Sequence, residues 1–417
     1  MMSRRCWEIC RIRVVSVPDK SYHTLDDFEV NGQLILVRAD LNVPLDNARQ
    51  ITDDTRIKRL LPTLKELSRR GSRTILISHF GRPKGRRIRD LSLEIVSPYL
   101  SKALNGVDIA FANDCIGNVA KSVVNKLKPG EFALLENLRF HKGEEANDSN
   151  FAIELAALGA IYINDAFSAS HRSHASVVGV PRLLPHAAGR LMQAELEALC
   201  KVLDHPQQPA MAIVGGAKIS TKLRLLGNLL DHVDTLAIGG GMANTLLYAK
   251  GVEVGTSICE PEMANEAREI LTKATASSCE ILLPVDVVTL ADSKLNEEPQ
   301  IVSIDSVAPR AKILDIGPAS TYQIGSRISD CKTLLWNGPM GMFETPPFDN
   351  STNFLAHKTA AMTKTGSLIS VAGGGDTLAA LSHAGVETEF SYLSTAGGAF
   401  LEWLEGNCLP GVTALKP

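Results

Sequence analysis

The feature that most constrains this chain is a recurrence of short apolar runs separated by stretches with helical periodicity. In the first half the runs are 33–38 (QLILVR), 73–77 (RTILI), 107–111 (VDIAF), 131–135 (EFALL) and 159–163 (GAIYI). In the second half they are 210–214 (AMAIV), 234–238 (DTLAI), 280–285 (EILLPV), 312–316 (KILDI), 332–336 (KTLLW) and 367–371 (SLISV). Strands that read as nearly continuous apolar runs are buried on both faces, the mark of a parallel sheet covered by helices on each side. Ile57, Leu60, Leu61, Leu64 and Leu67 form one stripe of a predicted helix, and Asp148 is placed to cap a helix that Gly159 ends. A further helix at about 190–204 carries Met192, Leu196, Leu199 and Leu203 on one face. His205-Pro206-Gln207-Gln208-Pro209 halts it, because proline cannot continue a helix. The chain therefore divides near residue 206 into two α/β halves, each with a parallel sheet between helical layers.

Several classes are excluded. No apolar run reaches the roughly 18 residues of a membrane span. The eight cysteines are scattered with no C-x-x-C pair, which suits a reducing, cytoplasmic setting. Ser3-Arg4-Arg5 looks like an export signal, but Trp7, Glu8, Arg11 and Arg13 interrupt any apolar core after it, so residues 1–20 read as a tail. The net charge of −3 hides an asymmetry of +5 over residues 1–200 against −8 over 201–417, and 19 of the 23 arginines lie in the first 200 residues. Arginine matches carboxylate and phosphate geometry, so the first half is equipped for a small anion. Nucleic acid is disfavoured by the overall acidity and by aromatics at only 5%.

The polar and glycine-rich segments fall after the apolar runs. VRADLNVP, ISHFGRP, ENLRF and NDAFSASHRSHAS follow strands in the first half; GGAK, GGGMAN, DIGPAS, WNGPMG and GGGDT follow strands in the second. Ligands in parallel α/β sheets bind beyond the carboxyl ends of the strands, so each half builds a site at one edge of its sheet. The first edge carries Arg38, Asp40, Asn42, His79, Arg82, Arg139, His171 and Arg172, with Arg56 near a helix start capped within Thr52-Asp53-Asp54. Such cations suit a small phosphorylated carboxylate. The second edge has the cations Lys218 and Lys222 and the glycine pairs and triples Gly215-Gly216, Gly239-Gly240-Gly241, Gly373-Gly374-Gly375 and Gly397-Gly398, whose backbone can approach phosphates closely. Asp376 offers a carboxylate there, which suits Mg²⁺. No G-x-x-x-x-G-K-[ST] is present and no G-x-G-x-x-G opens the first helix, which argues against a P-loop enzyme and a nicotinamide dehydrogenase.

Taken together, VRADLNVPL, TRIK, SHFGRPKG, ENLRFHKGEE, NDAFSASHRSHAS, IVGGAKISTK, GGGMANT, DIGP, WNGPMGMFE, AGGGDT, STAGG and LPGV resemble the phosphoglycerate kinase family from about residue 22 onward. The resemblance implies two three-layer domains facing each other across a hinge-bending cleft: 21–189 for phosphoglycerate and 206–393 for nucleotide, joined by a helix over 190–205, with 394–417 returning to the first domain. It implies reversible, direct phosphoryl transfer between 1,3-bisphosphoglycerate and ADP, giving 3-phosphoglycerate and ATP, with Mg²⁺, in a cytoplasmic monomer of glycolysis or gluconeogenesis. By residue, it assigns the phosphoglycerate side to Arg38, Asp40, Asn42, Arg56, His79, Phe80, Gly81, Arg82, Arg139 and Arg172, with Arg56 on the transferred phosphoryl group. It assigns the nucleotide side to Lys218, Lys222, the ribose-binding Glu344, and the loop of Gly374, Gly375, Asp376 and Thr377; Gly373, Gly397 and Gly398 are expected beside them. Catalysis falls to Arg56, Lys218 and Lys222, and the metal to Asp376.

The chain departs from the family at some positions. Ala396 stands for a loop glycine, Phe400 for a small residue, Ala39 for valine, Ser168-Ala169-Ser170 for glycine-threonine-alanine, and Asn407-Cys408 for a lysine-acid pair. None removes a named catalytic side chain. The rival is an anion-binding protein that kept the fold without the activity, and it would be expected to lack Arg56, Lys218 or Asp376, all of which are present.

Overall fold

A computed structural model describes residues 22–291 and 298–417; the predicted tail, 1–20, lies outside them. Contacts divide the chain into one unit of residues up to Glu195 together with Cys408–Pro417, and a second unit of Leu196–Asn407. The first is built on six strands: β1 (Leu34–Ala39), β2 (Arg73–Ile77), β3 (Ile109–Ala112), β4 (Phe132–Leu135), β5 (Ile161–Asp165) and β6 (His186–Ala188). They form one sheet in the order β3-β4-β2-β1-β5-β6, with every pairing parallel.

Side chains alternate between the two faces of that sheet, and both faces are covered. Ile35, Val37 and Ala39 of β1 join one core cluster with Ile57, Leu60, Leu64 and Leu67 of the helix Thr55–Arg69. Leu36 joins the opposite cluster with Ala120, Val124, Phe151 and Leu155. Burying each such side chain contributes about 1.5–3 kcal/mol, which is why central strands carry no polar alternation. Pro62 is tolerated inside the Thr55–Arg69 helix because it lies on the exposed face, where water reaches the carbonyl it leaves unbonded. Asp148 caps the helix Ser149–Ala156 by accepting the Phe151 N–H at 2.9 Å, as expected.

The second unit holds β7 (Ala210–Val214), β8 (Thr235–Ile238), β9 (Glu280–Leu282), β10 (Asp286–Ala291), β11 (Gln300–Ser303), β12 (Ala311–Ile316), β13 (Thr333–Asn337), β14 (Ile369–Gly373) and β15 (Tyr392–Ser394). Six form a parallel sheet in the order β15-β14-β13-β7-β8-β9. The other three form a separate antiparallel sheet, β11-β10-β12. The run 312–316 was expected in the parallel sheet; it is β12, paired antiparallel to β10.

The helix Arg190–Leu199 continues through a π turn, Cys200–Asp204, and stops at His205 before the prolines. The division between the units falls inside it, between Glu195 and Leu196. The returning segment is shorter than 394–417. β15 pairs with β14, and Asn228 Nδ2 donates to the Leu404 carbonyl at 2.9 Å, which keeps residues 394–407 in the second unit. Only Cys408–Pro417 belongs to the first, where the Gly411 N–H donates to the Ser170 carbonyl at 2.8 Å. Among the described residues no helix is long and apolar enough to cross a membrane.

Candidate functional site

Parallel pairing brings the carboxyl ends of β1, β2, β4 and β5 to one edge of the first sheet, and the chain leaving each end carries the polar segments. Asp40 lies just past β1. Its Oδ1 accepts the Asn42 N–H at 3.1 Å, and its Oδ2 accepts the Ser168 hydroxyl at 2.5 Å and the Arg56 Nη1. Burial opposes ionisation of Asp40, but His79, Arg56 and the Ser168 hydroxyl outweigh it and bring the carboxyl down to about 2. Arg56 is the second residue of the Thr55–Arg69 helix, where the helix dipole disfavours a cation. Asp40 offsets that cost. The N-cap residue is Asp54, which makes no side-chain cap bond and pairs with Lys58; Asp53, one residue earlier, accepts the Thr55 N–H at 2.8 Å.

Arg38 departs from expectation. It is fully buried, donating to Ser176 Oγ at 2.9 Å, to the Ala39 carbonyl and to His79 Nδ1 at 3.1 Å. Its guanidinium is committed to these acceptors and braces the site from beneath. Ser176 passes the contact on to Glu144, itself fully buried, through bonds of 2.9 and 2.6 Å from its N–H and hydroxyl. Burial opposes the Glu144 charge, but His174, Arg38 and Ser176 hold its carboxyl below the usual range.

The remaining cations crowd one another. Burial, then the charges of Arg172 and Arg38, pulls Arg139 down to about 10. Burial likewise pushes His79 well below its ordinary value, with Arg38, Arg139 and Arg172 acting in the same direction. Arg139 donates to the Gly81 carbonyl at 2.7 Å, and Asn42 Oδ1 accepts the Gly81 N–H at 2.8 Å, so Gly81 is held from both sides. Phe80 is buried, its backbone clamped by Asn137, which accepts its N–H at 3.1 Å and donates to its carbonyl at 2.7 Å. Arg172 is half-buried and donates to His171 at 3.1 Å; Arg82 is exposed.

In the second unit a cavity of about 320 Å³ is lined by Gly216, Gly240, Gly241, Met340 and Phe343, with the carboxylates of Glu344 and Asp376. A second cavity of about 360 Å³ is lined by Lys218, Lys222, Asn337, Gly374, Gly375 and Asp376. Gly216, Ala217 and Asp376 line both, so the first, apolar cavity adjoins the glycine-lined one that carries the two lysines. Gly374 has φ 101°, and a Cβ there would sit 2.7 Å from Asn337 Nδ2, so glycine is required on both counts.

Lys222 Nζ donates to the Gly215 carbonyl at 2.7 Å, the Asn337 carbonyl at 3.2 Å and Asn337 Oδ1 at 2.7 Å. Burial brings it down to about 8, against a smaller upward pull from Asp376. Thr377 works within the protein: its hydroxyl accepts the Gly338 N–H at 2.8 Å and donates to the Gly373 carbonyl at 2.9 Å. Asp376 is exposed in the first turn of the helix Gly375–His383, whose N-cap residue is Gly374.

Three residues expected beside the nucleotide do not line either cavity. Gly373 lies against Phe400, whose ring would be 2.6 Å from a Cβ at that position. Gly397 and Gly398 start the helix Gly398–Leu404 and line neither cavity; Leu401 of that helix does. The departure at Ala396 is harmless to the loop, because Ala396 does not take a positive φ; Gly397 does, at 54°.

Sequence reasoning missed Asn137, Glu144, Ser168, Asp315 and Asn337. Asp315 lines the apolar cavity, and burial raises its carboxyl to about 7 despite bonds from Ser351 and from the Ile316 N–H. All five lie inside the segments singled out as motifs, which was the one signal available. Asp114, Cys115 and His141 bring possible metal-ligand atoms within 4.8 Å of one another. They are already satisfied: His141 Nε2 and Asp114 Oδ1 bond at 2.7 Å, and burial pushes the Cys115 thiol well up.

A cationic edge on one parallel sheet and a glycine-lined cavity with a caged lysine on another define an α/β kinase, an enzyme that passes a phosphoryl group between a small anion and a nucleotide. The phosphoglycerate kinase family model matches residues 25–407. Phosphoglycerate kinase of Rhodospirillum centenum is 55% identical over 395 residues, 95% of this chain and 99% of the relative. That of Brucella abortus is 56% identical over the same shares. The structure of phosphoglycerate kinase from Coxiella burnetii superposes with a TM-score of 0.87 at 38% identity, covering 94% of this chain and 98% of that one. That from Pyrococcus horikoshii gives 0.77 at 29% identity over the same shares. The chain belongs to the phosphoglycerate kinase family, whose members carry out the glycolytic transfer of a phosphoryl group between ATP and the carboxyl group of 3-phosphoglycerate.

Proposed function

We propose that the first unit holds 3-phosphoglycerate or 1,3-bisphosphoglycerate and the second holds Mg-ADP or Mg-ATP. The observation that carries the reading is the convergence of His79, Arg139 and Arg172 at one sheet edge, where burial, and after it the neighbouring charges, lowers the proton affinity of His79 and Arg139. A bound anion relieves that repulsion, so the site gains affinity from charge already assembled. His79, Gly81, Arg82, Arg139 and Arg172 bind the substrate's phosphate and carboxylate, Asp40 and Asn42 orient it, and Arg38 acts only through His79 and Ser176. Arg56 leaves Asp40 to neutralise the phosphoryl group in transfer.

The apolar cavity takes the purine, Glu344 the ribose, and the glycine-lined cavity the phosphates, with Lys218 and Lys222 as their cations. Asp376 fits a hard cation, since its carboxylate is exposed and lines both cavities. Mg²⁺ held there with the phosphates would neutralise the charge of the transferring group. In the reverse direction a carboxylate oxygen of 3-phosphoglycerate bonds to the γ-phosphorus, the bond from that phosphorus to the ADP oxygen breaks, and the electron pair stays on ADP. No group of the protein is phosphorylated. Arg56 and Lys222 supply fixed charge to the non-bridging oxygens, so positioning and electrostatics carry the rate. The reading extends to a cytoplasmic monomer, whose reducing surroundings suit the free thiols of Cys115, Cys200, Cys259, Cys279, Cys331 and Cys408.

Steady-state assay of ATP-dependent 3-phosphoglycerate phosphorylation tests the assignment. Arg172→Ala should raise KM for 3-phosphoglycerate at least about tenfold, the scale of one lost charge-assisted pair, with KM for Mg-ATP unchanged. A KM change confined to the nucleotide would refute the reading.

A further inference from the structure

Asp40 offers Oδ2 to two donors at once, the Ser168 hydroxyl at 2.5 Å and the Arg56 guanidinium. Donors that share one acceptor oxygen weaken each other's bond, because each draws on the same electron density. The hydroxyl is rigidly presented. β1 and β5 are neighbours in register, with Ala39 opposite Asp165, so the residues following them stay adjacent. The turn Phe167–Ala169 that carries Ser168 is closed by the Ala169 N–H to the Ala166 carbonyl at 3.0 Å and the Ser170 N–H to the Phe167 carbonyl at 2.9 Å. Ser168 is also a position where this chain departs from its family's motif.

Arg56 cannot give the same N–H to Asp40 and to a phosphoryl oxygen. Asp40 is 9% exposed, so stripping it of its partner leaves a nearly buried charge, and a buried charge without partners is expensive. Ser168 changes that balance. With it, Oδ2 keeps a donor when Arg56 departs, and Oδ1 keeps the Asn42 N–H.

We infer that Ser168 is a positioning residue that loosens the Asp40–Arg56 pair and steadies Asp40 once Arg56 turns to the transferring phosphoryl group. The inference rests on the reading of Arg56 given above. Without the hydroxyl, Asp40 grips Arg56 more tightly and the charge reaches the transition state at greater cost.

The test is steady-state kinetics of Ser168→Ala, Ser168→Thr, Asp40→Asn and the Ser168→Ala/Asp40→Asn double variant, with thermal melts to verify folding. Ser168→Ala should lower kcat about tenfold, the scale of one hydrogen bond to a charged group. KM for 3-phosphoglycerate and for Mg-ATP should move less than about threefold, because the bond acts in transfer more than in binding. Ser168→Thr keeps the hydroxyl and should restore kcat to within about threefold of the parent. In the Asp40→Asn background Ser168→Ala should add less than about twofold, since the charged acceptor is already gone. A near-normal kcat in Ser168→Ala, a Thr variant as slow as the Ala variant, or an undiminished effect in the Asn background overturns the inference. Near-normal turnover in Arg56→Ala overturns the site reading and this inference with it. A silent Ser168→Ala beside a damaged Arg56→Ala overturns this inference alone.

Discussion

Lys222→Met separates catalysis from stability at one position. The lysine is mostly buried, its Nζ is surrounded by three oxygens, and its pKa falls from 10.5 to about 8. A lysine whose folded pKa is depressed binds fewer protons in the folded chain than in the unfolded one between those two values. The folded state therefore carries a charging penalty below pH 8, and stability rises as pH climbs from about 8 to 10.5. At about 1.36 kcal/mol per pKa unit the penalty at pH 7 is roughly 3 kcal/mol. Methionine removes it but takes the lysine's donor from the Gly215 carbonyl and Asn337 Oδ1, a cost of about 1–3 kcal/mol, while the Asn337 carbonyl keeps the Gly215 N–H at 3.0 Å. Near pH 7 the two effects nearly cancel, so the variant should unfold in urea within about 2 kcal/mol of the parent. The parent should then gain up to about 3 kcal/mol relative to the variant between pH 8 and 10.5. Meanwhile kcat should fall at least about 100-fold, the scale of one lost group stabilising transition-state charge. Parallel pH dependence of stability in the two proteins would refute the reasoning about burial. Turnover within tenfold of the parent would refute the role.

Arg56→Ala should lower kcat more than about tenfold, or 1.4 kcal/mol, with calorimetric Mg-ADP affinity unchanged; a loss confined to nucleotide affinity would remove Arg56 from the phosphoryl group. Asp376→Asn should shift the Mg²⁺ dependence of the initial rate to higher concentration with the melting temperature nearly constant, because an amide is a poorer ligand for a hard cation; an unshifted dependence contradicts the metal role. Phe400 is fully buried and lies against Gly373, so Phe400→Ala should cost about 3–5 kcal/mol in urea unfolding; a cost under 1 kcal/mol would show that the ring is dispensable.

Legibility of the fold followed the physics of burial. Strands covered on both faces, such as β1 and β7, have to be apolar throughout, and their runs stand out in the sequence. β6 and β15 have three residues each, too few for any periodicity to register. The antiparallel sheet was missed because β12 reads like a buried parallel strand, while β10 begins at Asp286, directly after the apolar run 280–285 and two residues after Pro284. In the site, residue types were legible and their orientations were not. Nothing local distinguishes the buried Arg38 and Arg139 from the half-buried Arg172 or the exposed Arg82. The partners that fix the site lie far off in sequence: Ser168 is 128 positions from Asp40, and Asn337 is 115 from Lys222. Such pairs exist only once the strands are in register. Asp376 was legible as a metal candidate because it follows three glycines at a strand end; the helix it enters takes Gly374 as its N-cap residue.

The division of labour between the two units is tested most directly by calorimetry in which each ligand is titrated into each site variant. 3-Phosphoglycerate and Mg-ADP are added separately to the parent, to Arg172→Ala and to Lys222→Met. Arg172→Ala should lose at least about tenfold in 3-phosphoglycerate affinity, about 1.4 kcal/mol, and bind Mg-ADP as the parent does. Lys222→Met should show the converse. Loss of Mg-ADP binding in Arg172→Ala, or of 3-phosphoglycerate binding in Lys222→Met, would contradict the assignment of one ligand to each unit.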